Sequence, residues 1–219
     1  MNDRLKAAVL ISGNGTNLDA IINHLSTHDV PCNIQVVVSN NPSAYGLLRA
    51  TRAGIPTAVV NHRDYPDRYT FDQQLLKTLN KHQTHTVILA GFMRILTTDF
   101  VEHFKGRMLN IHPSLLPKLK GLDTHKRAIE EGHEFHGASV HFVTPELDSG
   151  AVIIRGRLRV NAQDTAESLA QRVHQLEYRI YPQAVEWLAK GRLRLDNNNV
   201  YLDDEVLPPE GVEVIDENP

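Results

Sequence analysis

The chain has 219 residues, of which 41% are hydrophobic and 22% charged, with a formal charge of -3 and a single cysteine. That length supports one substantial core, and the composition excludes collagen, coiled-coil and disordered chains. Slight acidity with scattered Lys and Arg argues against nucleic acid as a partner, and a lone Cys32 excludes an intramolecular disulfide and a multi-cysteine zinc site.

No apolar run reaches the roughly 20 residues of a membrane-spanning helix, and the polar start at Met1 to Lys6 leads into too short an apolar run for a secretion signal. A cytoplasmic protein without a membrane partner is the expectation. Short apolar runs alternate with stretches of helical periodicity, which predicts an α/β fold: a three-layer, open, mostly parallel sheet with helices on both faces. No linker marks a second folding unit, so residues 1–219 are expected to form one domain. Its halves are about 1–105 and 106–205, with a loose tail over 206–219.

The first strand is Ala7-Ala8-Val9-Leu10-Ile11, followed by Ser12-Gly13-Asn14-Gly15-Thr16 and a helix from about Asn17 with Leu18, Ile21, Ile22 and Leu25 on one face. A strand over 34–38, a helix over 44–53 stopped by Gly54, and a third strand over 57–60 follow. Residues 61–68 read as polar loop and 69–82 as helix, before a central strand, Thr86-Val87-Ile88-Leu89-Ala90, whose continuous apolar run after Thr86 suits burial on both faces. A short helix over 98–103 and a strand over 107–111 lead to residues 112–120, whose two prolines exclude regular structure. A helix over 124–131, strands over 138–142 and 152–160, a long helix over 165–189 and a hairpin around Asp196-Asn197-Asn198-Asn199 complete the pattern.

Three places can carry chemistry. Residues 13–17 join a strand to a helix, where free amides and the helix dipole suit a phosphate, although a plain tight turn explains the same residues. Asn110 and His112, two apart at a strand's carboxyl end, project to one face, toward the crevice where open α/β sheets bind ligands. Pro113 restrains the backbone of His112, and imidazole titrates near neutrality as a proton-transfer group must. Asp148, in a loop between two strands, could orient that imidazole or simply stabilise its own turn. The pairs His24/His28 and His133/His136 lack a third metal ligand and are expected at the surface, and Lys118-Leu119-Lys120 reads as a solvated loop.

Ile11-Ser12-Gly13-Asn14-Gly15-Thr16-Asn17-Leu18, Ala90-Gly91-Phe92-Met93-Arg94-Ile95-Leu96 and Asn110-Ile111-His112-Pro113-Ser114-Leu115-Leu116-Pro117 together resemble the phosphoribosylglycinamide formyltransferases. His136-Gly137-Ala138-Ser139-Val140-His141-Phe142-Val143 and Glu146-Leu147-Asp148-Ser149-Gly150 extend the likeness, in the same order, over nearly the whole chain. The resemblance implies the formyltransferase fold, Rossmann-like in its N-terminal half. It also implies transfer of formyl from 10-formyltetrahydrofolate to the amine of glycinamide ribonucleotide in purine synthesis, without a metal. By that likeness Asn110 stabilises the oxyanion, His112 shuttles protons and Asp148 raises the pKa of His112. Gly15, Thr16, Asn17 and Glu177 hold the ribonucleotide, while Arg68, Met93, Arg94, Ile95, Leu96, Asn110 and Val143 line the folate site.

Related chemistries share the central Asn, His and Asp. The Gly-Asn-Gly-Thr-Asn loop favours a phosphorylated acceptor over water, and an acidic chain of this length disfavours a transfer RNA acceptor. Asp123 and Leu119 depart from the family pattern beside the site.

Overall fold

A computed structural model describes residues 4–216. The chain divides into two compact units, Met1–Asn110 and Ile111–Pro219.

In the first unit β1 (Leu5–Ile11), β2 (Cys32–Ser39), β3 (Thr57–Val59) and β4 (Thr86–Leu89) form a parallel ladder, joined at Met108 to Asn110 by the start of β5 (Met108–His112). Helices α1 (Thr16–Thr27), α2 (Tyr45–Arg52), α3 (Arg68–Lys81) and α4 (Thr98–His103) connect the strands. From Ala7 to Ile11 β1 is wholly buried, which is why its sequence is apolar without alternation. Strand β1 lies between β2 and β4, so the chain winds outward in opposite directions on its two sides. Such a reversal opens a crevice at the strands' carboxyl ends. Residues 12–15 and 90–93 leave the sheet there.

In the second unit β6 (Phe135–Phe142) runs antiparallel to β7 (Val152–Arg159), and helix α5 (Thr124–Glu130) precedes them. Helix α6 (Ala166–Ala189) packs on both strands through Leu169, Val173, Leu176, Ile180 and Ala184, spaced at one helical face. Thr165 opens it with a capping box shared with Ser168. Strands β8 (Leu193–Asp196), β9 (Asn199–Leu202) and β10 (Glu205–Val206) make a small antiparallel sheet. Asn197 and Asn198 turn its first hairpin with positive φ at both positions, as Asn tolerates.

The α/β class with an open, mostly parallel sheet is therefore what the alternating pattern requires. Three local expectations change. Val212–Ile215, within the segment expected to be a loose tail, is a strand, β11, parallel to β7 and held by Glu213 against Arg155 and Arg157; residues 217–219 lie outside the described residues. The polar loop over 61–68 contains a 3-10 turn, His62–Asp64, nucleated when the Asn61 side chain accepts the Arg63 amide. His112 belongs to β5 instead of the irregular segment after it.

Candidate active site

Asn110 and His112 are alternate residues of β5, so the strand sends both side chains to one side of itself. His112 is 6% exposed, and its Nε2 lies 2.9 Å from the Leu119 carbonyl oxygen. A carbonyl can only accept, so Nε2 carries a proton and donates it. Nδ1 of the same ring faces Asp148 Oδ2 at 3.4 Å. Both ring nitrogens thus look at an acceptor, one a neutral carbonyl and the other a carboxylate.

Asp148 is itself 9% exposed and sits at φ 49, a left-handed conformation that Asp adopts more readily than most residues. Its Oδ2 also accepts the Gly121 amide at 3.0 Å, and its Oδ1 is 4.0 Å from His141 Nε2. The turn after it is tightly built: a Cβ on Gly150 would fall 1.6 Å from the Phe142 carbonyl oxygen. Sequence reasoning missed His141, which is buried, donates from Nδ1 to the Phe142 carbonyl at 2.9 Å, and has its pKa pushed by burial down to about 4. It is a neutral neighbour of Asp148 at pH 7. In the sequence it stood only as one member of the motif over 136–143, in the strand that leads into the acidic loop.

The loop from 113 to 122 is tied down by several bonds. Ser139 Oγ donates to the Ser114 carbonyl at 2.7 Å and accepts the Leu116 amide at 3.1 Å, and Ser114 Oγ donates to the Lys118 carbonyl at 2.7 Å. Lys120, expected in a solvated loop, donates instead to Ser149 Oγ and is only partly exposed. Leu119, one of the two departures from the family pattern, is buried with φ 54 and contributes its carbonyl to His112. Asp123, the other, precedes α5 at φ 56 without capping it by its side chain. Asp148 and Lys120 also line a cavity of about 500 Å³ with Leu116, Pro117 and Val200.

His136 corrects the expectation of a surface histidine. It is buried, its Nε2 is 3.1 Å from His125 Nδ1, and burial, reinforced by neighbouring histidines, takes His136 to about 3 and His125 to about 4. His28 is exposed as expected and His24 is half-buried, with their rings stacked 4.1 Å apart. Among the described residues no group of three or more His, Cys, Asp or Glu is arranged for a metal, and no helix is long and apolar enough to cross a membrane.

In the first unit Gly15 is the N-cap of α1 at φ 70, and no side chain caps the helix. Glycine is required there twice over, by the positive φ and because its Cβ would lie 2.7 Å from Gly46 Cα. With Thr16 and Asn17 it presents the amide end of a twelve-residue helix, the arrangement that receives anions. Ser12, which sequence reasoning passed over, organises this end of the unit. Its hydroxyl donates to Asn40 Oδ1 at 2.6 Å and accepts the Met93 amide at 2.7 Å, and its own amide donates to the Gly91 carbonyl at 3.1 Å.

The remaining predicted residues divide by exposure. Met93 and Ile95 are 69% and 54% exposed, Arg68 and Arg94 are exposed, and Leu96 is buried. In the second unit Val143, just past β6, is half-buried, and Glu177 is buried on α6. Thus the structure brings His112 and Asp148 together, and through Ser12 it ties the Gly15 loop to the Met93 segment.

A model of the formyl transferase family matches residues 5–185. The chain is similar to phosphoribosylglycinamide formyltransferase of Escherichia coli (strain K12), 46% identical over 207 residues that cover 94% of this chain and 98% of that protein. A solved phosphoribosylglycinamide formyltransferase from Coxiella burnetii, in complex with CHES, superposes with a TM-score of 0.92 at 48% identity, covering 96% of this chain and 99% of that one. The human trifunctional purine biosynthetic protein adenosine-3 is 42% identical over 195 residues, which are 89% of this chain and 19% of that longer protein.

Proposed function

The chain belongs to the formyl transferase family, and from that premise we propose that it moves the formyl group of 10-formyltetrahydrofolate to the amine of glycinamide ribonucleotide, yielding the N-formyl product and tetrahydrofolate. The observation that carries this reading is the buried imidazole of His112, whose two nitrogens face Leu119 O and Asp148.

The amine nitrogen attacks the formyl carbon and forms a C–N bond, and the carbonyl electron pair moves onto oxygen. That oxyanion needs a preorganised donor, and the Asn110 amide is one. Next the amine loses a proton, the bond to folate N10 breaks, and N10 gains a proton. One imidazole serves both transfers when it is held by a carboxylate, because Asp148 offsets the positive charge of the ring at the stage when His112 holds the extra proton. In the structure Nε2 is engaged by the Leu119 carbonyl, so a substrate nitrogen must replace that oxygen before Nε2 can exchange a proton with it. Movement of the loop around Leu119 is therefore part of the catalytic cycle.

Gly15, Thr16 and Asn17 receive the phosphate of the ribonucleotide, with Glu177 assisting on the same substrate. In the first unit Met93, Arg94, Ile95, Leu96 and Arg68 form the donor's wall, and Val143 of the second unit is assigned to the donor by resemblance to the family. Folate serves as co-substrate, and the chemistry requires no metal. The setting is a cytoplasmic reaction between two small molecules, with neither nucleic acid nor membrane taking part.

Incubation with 10-formyltetrahydrofolate, with and without glycinamide ribonucleotide, tests this. Tetrahydrofolate release that depends on the acceptor is expected. Equal release without it would indicate a hydrolase, and no release would leave a binding protein.

A further inference from the structure

Residues 93–97 form a short arch, neither helix nor strand, that holds Met93 and Ile95 out toward solvent at 69% and 54% exposure. Large apolar side chains in water favour collapse onto the surface, so an arch that displays them must be held from below. It is held at both ends. The Met93 amide donates to Ser12 Oγ at 2.7 Å, and the Thr97 amide donates to Asp72 Oδ2 at 2.6 Å. Beside the arch, the Phe92 ring stacks on Phe71 of α3, with centroids 6.5 Å apart.

Asp72 is an unusual choice for the second anchor. It is 1% exposed, and its Oδ1 has no hydrogen-bond partner among the described residues. Asparagine could accept the Thr97 amide equally well without burying a charge. The charge does have partners nearby. Arg68, one turn earlier on α3, and Arg94, on the arch itself, both act electrostatically on the carboxyl group. Burial raises the pKa of Asp72, whereas the Thr97 bond and then the two arginines oppose that rise. One carboxylate therefore anchors the arch and also lies within electrostatic reach of two exposed cations, Arg68 on α3 and Arg94 between Met93 and Ile95.

We propose that Asp72 is a positioning residue for the formyl donor, fixing the 93–97 arch through Thr97 and keeping Arg68 and Arg94 in place beside it. The proposal rests on the reading of that arch as the donor's wall. Asp72 touches neither reacting centre, so its loss affects donor binding and leaves the chemical step intact.

Asp72→Ala and Asp72→Asn separate the two effects, because only asparagine keeps an acceptor for Thr97. Steady-state rates are measured with each substrate varied in turn, alongside amide exchange at Thr97. In Asp72→Ala the KM for 10-formyltetrahydrofolate rises roughly tenfold or more, kcat and the acceptor KM stay within about twofold, and the Thr97 amide exchanges faster. Asp72→Asn shows a smaller rise in donor KM with Thr97 still protected. Donor and acceptor KM rising together, or an unchanged donor KM in a folded variant, would overturn the role. If Asp72→Ala does not fold, an unchanged donor KM in Asp72→Asn overturns it alone. A wild-type protein without donor turnover refutes the donor-wall reading itself, before any variant is compared.

Discussion

His112 and Asp148 are buried side chains whose polar atoms already have fixed neighbours, while residues 13–17 are exposed or half-exposed and offer mainly backbone. The contrast fits the roles proposed for the two regions. A proton-transfer group works when its orientation is set before the substrate arrives, and burial among hydrogen bonds sets it. A phosphate is bound by amides at a helix start, where geometry comes from main-chain conformation and side-chain identity matters little. Changes at the first region should therefore strike the chemical step, and changes at the second should strike affinity.

The largest effect is expected from Asp148→Asn, which keeps an acceptor for the Gly121 amide but removes the charge facing His112. Turnover should fall by roughly two to four orders of magnitude with substrate affinities little changed, as stopped-flow and steady-state kinetics would show. Asn110→Ala should raise the barrier by about 3 kcal/mol if its amide meets the oxyanion, and a change confined to KM would remove it from that role.

Acid should weaken the fold through the second unit's histidines. Burial depresses His141 and His125 to about 4 and His136 to about 3, below the 6.5 of a free imidazole. Their contribution to stability is complete above about pH 6.5 and is lost as pH falls through the folded values, because the unfolded chain takes up protons first. His141 alone accounts for at most about 3 kcal/mol. Thermal melts between pH 7 and pH 4 should show a falling midpoint, with a flatter slope in His141→Gln. At the other region Gly15→Ala puts a side chain at φ 70 and against Gly46, so about 1–2 kcal/mol of stability and much of the acceptor affinity should go, with kcat nearly intact. A loss of kcat with normal acceptor KM would erase the distinction between the regions.

Most strands and helices were legible because their burial leaves a pattern: β1 is apolar without a break from Ala7 to Ile11 and β4 from Val87 to Leu89, and α6 repeats its apolar face from Leu169 to Trp187. Strand β11 was not, since it is four residues long, alternates only half-buried with exposed positions after Pro208 and Pro209, and is held by Glu213 reaching Arg155 and Arg157 far away in sequence. The burial of His136 depends similarly on His125 and on the strand around it. At the site, the pairing of His112 with Asp148 followed from ordered motifs. The Leu119 carbonyl and the Ser12 hydroxyl did not, because a carbonyl leaves no mark in the residue type and a serine before a glycine loop looks like any turn residue.

The most direct test of the account is a rapid-quench single turnover with 10-formyltetrahydrofolate and saturating glycinamide ribonucleotide, comparing wild type with His112→Ala of confirmed fold. The predicted result is acceptor-dependent formyl transfer in wild type and a chemical step slower by roughly two to four orders of magnitude in the variant. A variant that transfers formyl at near the wild-type rate would contradict it.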